Sequence, residues 1–197
     1  RSSDLTVSLP AGWTVEFKDS GNNIINTTGT VPSGVGKEIT ATVIIPANQA
    51  PGQASVYFRV VSSVTGAKDV IHDAVNVQPI SDLAISPDNN GQVFSGGTVT
   101  YIHSVTNNGN NSPEISGDFV VENSMSGWNA IIYWDQNNNG VIDSGEPVVS
   151  NISDMGGLLS SQTKQIIVKV FSPAGLNDGD SNTTTITIEN VYGEVNL

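Results

Sequence analysis

The 197-residue sequence contains no cysteine. That excludes disulfides, thiol nucleophiles and cysteine-ligated zinc. Basic residues are scarce: 7 Lys plus Arg stand against 19 Asp plus Glu, for a net charge of −12. Such a surface repels phosphate backbones and anionic lipid, which argues against nucleic-acid binding. No apolar run approaches the ~18 residues of a spanning helix, so no membrane insertion is expected. Catalytic furniture is also missing. There is no Gly-x-Ser-x-Gly elbow and no phosphate-binding Gly-x-x-x-x-Gly-Lys loop. The two histidines, His72 and His103, sit far apart on strand-patterned stretches and read as ordinary strand residues. Asp118 and Glu122 are posed as a carboxylate couple only by their proximity, and nothing sets them apart from solvated strand positions. Four Asn-x-Ser/Thr sequons stand at Asn26, Asn110, Asn151 and Asn182; in a bacterium they would be accidental. The expectation is a protein that is not an enzyme.

What is present is strand and turn chemistry. Thr, Val, Ser, Asn and Gly dominate, hydrophobic content is 37%, and no convincing amphipathic helix appears. One stretch stands out, running from Trp134 to Pro147. Counting twelve positions from Asp135 places side-chain oxygens at one (Asp135), three (Asn137), five (Asn139), nine (Asp143) and twelve (Glu146). Gly140 stands at six, Val141 at seven and Ile142 at eight. This is the spacing of an EF-hand calcium loop. Calcium takes six to eight oxygens at roughly 2.3–2.6 Å, and alternate residues of a curled loop supply them. Val141 would give its backbone carbonyl, and Glu146 would close the shell with both oxygens. The flanks differ from an EF-hand: Trp128, Ala130, Ile132 and Trp134 alternate as in a strand, and Pro147-Val148-Val149 disfavours a helix. The affinity expected is that of an extracellular module, on the order of 10⁻⁴–10⁻³ M.

Alternating runs recur along the chain: 5–9, 13–17, 39–45, a hairpin about Thr65-Gly66, 83–85, 99–105 and 119–121. An internal repeat emerges from them. Gly12-Trp13 matches Gly127-Trp128, and Lys37-Glu38-Ile39 with Ala41 and Val43 matches Lys164-Gln165-Ile166 with Val168 and Val170. Trp to Pro46 spans 33 residues in the first copy, and Trp to Pro173 spans 45 in the second. The difference of twelve suggests that the second copy carries the calcium loop as an insertion. After that Phe58 and Val60 fall one residue out of phase with Ile186 and Ile188. The second copy also has a front half, 79–118, with no counterpart before Arg1. The first copy is therefore expected to be an N-terminally truncated repeat short of about two strands; the alternative is a naturally shorter first domain. Two domains are expected, 1–78 and 79–197, with calcium loop 135–146 in the second and a short linker near Gln78-Pro79-Ile80-Ser81. Trp13 and Trp128 read as core. Tyr133 and Trp134 are the alternative candidates for a sugar-stacking platform.

Residues 82–106, with Ser95-Gly96-Gly97-Thr98-Val99-Thr100-Tyr101 and Val105-Thr106-Asn107-Asn108-Gly109, resemble the opening of the conserved-repeat immunoglobulin-like domains of bacterial cell-wall and outer-surface proteins. Residues 133–147 resemble the calcium loop in the B repeats of serine-aspartate repeat adhesins. The resemblance implies an all-β fold of tandem immunoglobulin-like β-sandwiches, the second carrying an inserted EF-hand-like calcium loop. It implies Ca²⁺ as the bound ion, with Asp135, Asn137, Asn139, Val141, Asp143 and Glu146 as ligands. It places the chain outside the cell, on the surface or secreted. Expected partners are calcium, neighbouring repeats or another copy of the chain, and a host protein or glycan. The alternative reading is a carbohydrate-binding accessory module of a secreted glycosidase.

Overall fold

Short alternating segments become strands because their apolar residues can face one core while the Thr, Ser and Lys between them face water. The computed structural model describes residues 2–189 and contains eleven strands and one short 3₁₀ turn, with no α-helix among the described residues. The strands are β1 (Ser3–Ser8), β2 (Thr14–Asp19), β3 (Ile39–Ile44), β4 (Gly52–Ser62), β5 (Lys68–Val77), β6 (Leu83–Ser86), β7 (Thr98–Asn107), β8 (Asp118–Asn123), β9 (Asn129–Asp135), β10 (Thr163–Phe171) and β11 (Thr184–Glu189). The chain divides into two compact units, 1–79 and 80–197.

In the second unit, one sheet has the order β6-β7-β10-β9 and the other pairs β11 with β8, all antiparallel. Val105, Ile132, Val149, Ile152, Met155, Leu158, Ile166, Val168 and Val170 form its buried centre. Phe119, Val121, Ile186 and Ile188 pack on that centre from the smaller sheet. Two sheets therefore share one core, which is the layered solution open to strands with one apolar face. The first unit has a three-stranded sheet, β1-β4-β5, and a two-stranded one, β2-β3. Its buried apolar side chains are only Trp13 and Val56 among the described residues.

The pairing pattern of β1 to β4 returns in β8 to β11. Val15 faces Val43 and Phe17 faces Ala41; correspondingly, Ala130 faces Val170 and Ile132 faces Val168. Leu5 faces Val60 and Val7 faces Phe58, as Phe119 faces Ile188 and Val121 faces Ile186. The one-residue phase slip of the sequence comparison is thus absorbed in the connection between β3 and β4, and the core-facing residues stay aligned. The switch between sheets is shared too. Ile25 N–H donates to the Phe17 carbonyl and Thr28 N–H to the Ser3 carbonyl. Val149 N–H donates to Ile132 and Ile152 N–H to Gly117 in the same manner.

The inserted length is split. The bridged residues Lys18 and Ile24 lie six apart, and Tyr133 and Val148 fifteen apart, so nine extra residues fall between them in the second unit. The other three of the twelve fall later, before β10. Val148-Val149 does not extend into a strand, because the chain turns at Ser150 to join the other sheet.

Candidate metal centre

β9 carries the chain to Asp135, whose side chain is fully buried. Trp134 N–H then meets the Pro147 carbonyl at 3.0 Å, and Val149 N–H meets Ile132 at 2.9 Å, so residues 135–147 are clamped as the tip of a returning hairpin. The loop curls because each early polar side chain accepts a backbone N–H further on. Asp135 Oδ1 accepts from Asn139 N–H at 3.1 Å, and its Oδ2 from Gly140 N–H at 2.8 Å. Asn137 Oδ1 accepts from Asn139 N–H at 3.0 Å, and Asn139 Oδ1 from Val141 N–H at 2.8 Å. These are side-chain turns of the type Asp and Asn favour.

The second half of the loop folds back on the first. Asn137 Nδ2 and Asn139 Nδ2 donate to Asp143 Oδ2 at 2.8 and 2.7 Å. Glu146 Oε1 accepts from Gln136 N–H at 3.3 Å and Oε2 from Asp143 N–H at 3.1 Å. All five expected side-chain ligands are therefore members of one hydrogen-bonded curl. Val141 has an exposed side chain and Ile142 a half-buried one. Gly140 adopts φ +74°, a left-handed conformation that L side chains avoid, and lies directly over Ile102 of β7. Asn138 is left-handed as well, with φ +55°.

The carboxylates themselves are not gathered: among the described residues, no three histidine or carboxylate side chains form a metal-sized group. Asp135 faces backbone N–H groups, while Asp143 and Glu146 lie across the curl. None of the three pairs with Lys or Arg among the described residues. The donor set suits calcium chemically, since every candidate ligand is oxygen and amides alternate with carboxylates. Asn137 Oδ1 and Asn139 Oδ1 each use one lone pair on a backbone N–H and retain a second.

Lys164 lies behind the loop. Its Nζ is 4.6 Å from the centre of the Trp134 ring and donates to the Met155 carbonyl, and burial pushes its pKa below the ordinary lysine value. Trp134 and Trp128 are half-buried and pack on the core, whereas Trp13 is buried and donates to Gln49 Oε1 at 2.7 Å. Trp128 Nε1 is buried with no hydrogen-bond partner among the described residues.

Sequence reasoning missed a second buried carboxylate. Glu114 is fully buried and accepts from Ser81 Oγ, from Asn111 Nδ2 at 3.3 Å, and from Ser116 N–H and Oγ at 3.0 and 2.6 Å. Burial raises its pKa, but the hydrogen bonds from Ser116, Ser81 and Asn111 outweigh it and hold the carboxyl below the ordinary value. Surrounding Ser and Asn residues are the only signal of such a site, and they are common in any loop. The other candidates stay apart. His72 is exposed and stacks on Tyr57 with centroids 4.7 Å apart, while His103 Nδ1 lies 2.8 Å from the Pro87 carbonyl. Asp118 and Glu122 are exposed on β8.

No protein-family model matches the chain, and no curated protein matches it. Among solved structures, the chain is similar to one from the CsuC–CsuE chaperone–tip adhesion subunit pre-assembly complex of the archaic chaperone-usher Csu pili of Acinetobacter baumannii. The two are 11% identical, with 96% of this chain and 85% of that chain covered, at a TM-score of 0.43. At that distance the fold is read from the strands themselves: an all-β protein built of several antiparallel sheets. No helix among the described residues is long and apolar enough to cross a membrane.

Proposed function

We propose that this chain is a non-enzymatic, calcium-stabilised structural or adhesive module of a bacterial cell-surface or secreted repeat protein, made of tandem immunoglobulin-like β-sandwiches. The single observation that carries the reading is the curl of 135–146, in which Asp135, Asn137 and Asn139 already turn the backbone through their own side-chain oxygens. Calcium would replace the Asn137 and Asn139 Nδ2 donors at Asp143 and draw Asp143 and Glu146 toward Asp135. The ion's role is folding linkage. Binding to the native curl stabilises by RT ln(1 + [Ca²⁺]/Kd), about 1.4–2.7 kcal/mol at 10 to 100 times Kd.

The hairpin clamp gives that energy a direction. Val148 to Ile152 leave the loop, bridge Tyr133 on one sheet and Asp118 on the other, and bury Val149 and Ile152 in the core. Tightening the curl therefore ties both sheets of the second unit. The first unit has the five-residue turn Asp19–Asn23 in that place and binds no ion under this reading.

A sugar platform on Tyr133 and Trp134 is disfavoured. Neighbours on a strand point to opposite faces, and Trp134 packs on the core. Calorimetric titration of the chain with calcium tests the proposal. One site per chain with a Kd in the extracellular range, abolished by Asp143→Asn together with Glu146→Gln, is expected. Absence of binding at 10 mM calcium would refute it.

A further inference from the structure

The curl that follows β9 lies on the outer face of a sheet, and the polar residue beneath it is Gln165. β10 runs between β7 and β9. Asp135, where the loop leaves β9, is the cross-strand partner of Gln165, and Gln165 pairs on its other side with Ser104 of β7. Ile167 stands likewise between Tyr133 and Ile102. Residues two apart on a strand share a face. Asp135, Gln165, Ile167 and Ile102 therefore lie on the face opposite to Ile132, Ile166 and Val168, which form the core. By Gly140 the loop has reached the far strand, where an added Cβ would lie 2.6 Å from Ile102 Cδ1. Between Asp135 and Gly140 the chain thus crosses β10 above Gln165 and Ile167. Ile167 is 0% exposed although it points away from the core, as this roof requires.

Under the crossing, Gln165 Oε1 is buried and has no hydrogen-bond partner among the described residues. A buried acceptor without a donor is costly, and in native proteins it marks a bound water or ion. Lys164, the adjacent cation, does not serve it: its Nζ lies over the Trp134 ring and donates to the Met155 carbonyl, on the core side of the sheet. The cross-strand neighbour is itself an acceptor, because an ionised Asp135 offers only lone pairs. Directly opposite residues on paired strands hold their Cβ atoms about 4.5–5.5 Å apart. A carboxylate and an unsatisfied amide oxygen at that spacing, both out of water, suit a cation between them.

Building on the calcium curl proposed above, on which this assignment rests, we propose that Gln165 Oε1 is a calcium ligand supplied from outside the loop, beside Asp135. With Asp135, Asn137, Asn139, the Val141 carbonyl and both oxygens of Glu146, the amide of Gln165 takes the shell past six oxygens. Calcium accommodates that number, whereas magnesium demands a compact octahedron. Gln165 is thus a selectivity residue as well as a ligand. It also fastens the ion to β10, so that metal binding pins the loop to the middle of the sheet and not only to the β9 hairpin.

The test titrates the whole chain calorimetrically with calcium and with magnesium, beside Gln165→Leu, which keeps the volume and removes the oxygen. Calcium binding is expected to weaken on the order of tenfold, and magnesium binding much less, so the preference for calcium narrows. With chelator present, Gln165→Leu should melt no lower than the wild type, since it removes an unsatisfied acceptor. Terbium bound in place of calcium should show an additional coordinated water in the Leu variant, read from luminescence lifetimes in H₂O and D₂O. Gln165→Glu keeps an oxygen at this place and should bind calcium at least as tightly as the wild type. An unchanged calcium Kd in Gln165→Leu overturns the assignment and leaves the curl standing, whereas no binding by the wild type overturns both. A Leu variant that melts lower in chelator yet binds calcium normally would show the amide donating to Asp135, and overturns it too. If the Leu variant does not fold, the Glu variant decides: calcium binding weaker than the wild type's overturns the assignment.

Discussion

Asp135 and Gly140 are joined by a 2.8 Å hydrogen bond from the Gly140 N–H to Oδ2, while Oδ1 of the same carboxylate holds Asn139. Among the described residues, this fully buried carboxylate is thereby compensated by two backbone donors. Asp135→Ala removes the acceptor for both. The loss expected is about 2–4 kcal/mol for two hydrogen bonds to a charged group, read by urea denaturation of the second unit. The same variant should lose any stabilisation by calcium.

Gly140→Ala tests the turn. A Cβ there would lie 2.6 Å from Ile102 Cδ1, and the φ of +74° disfavours any L side chain. A destabilisation of about 1–2 kcal/mol is expected from backbone strain. Adding Ile102→Ala should relieve only the steric part, since the contact is with the end of a flexible side chain. Full recovery in the double variant would contradict the strained-backbone explanation.

Gly109→Ala should be more damaging than its place in an Asn-Gly turn suggests. The added Cβ would meet the Ile80 carbonyl oxygen at 2.2 Å and the Asp82 nitrogen at 2.9 Å, and backbone cannot move aside as a side chain can. A loss above about 2 kcal/mol in thermal or urea unfolding is expected, in the upper range of overpacking. A neutral result would mean that the 80–82 segment is not held against the loop.

Acid should loosen the 107–116 loop. The Glu114 carboxyl is held below its ordinary value in the fold, so its stabilisation is complete above about pH 4.5 and fades as pH falls through the lowered value. Asp154 behaves alike, held down by the Ser150 backbone N–H first and then by Ser150 and Asn151. Urea melts from pH 7 to pH 3 should show stability falling below pH 4.5. Glu114→Gln should flatten that fall and leave the slopes of Asp154 and of Asp19, whose carboxyl the Asn23 backbone N–H also holds below the ordinary value.

Much of this architecture is visible in the residue pattern, for a physical reason. A strand with one wet face writes its period into the sequence, so 39–45 and 99–105 declare themselves as β3 and β7. The loop was legible because oxygen spacing in a tight curl is a local property. Its three carboxylates meeting was not legible, and the fold holds Asp135, Asp143 and Glu146 on separate N–H donors. Ile152–Met155 was missed as a 3₁₀ turn because four residues carry no periodicity; its capping box of Asn151 and Asp154 was the one available sign. Glu114 was missed because burial of a single acid depends on Ser81, 33 residues away.

Amide exchange of the chain with and without 10 mM calcium, followed residue by residue, tests the central claim most directly. Slower exchange is predicted across 135–152, spreading to the β8 and β9 residues tied to Val148–Ile152, with the Asp19–Asn23 turn unchanged. Identical exchange in both conditions, or slowing confined to the first unit, would contradict a calcium-tightened curl in the second.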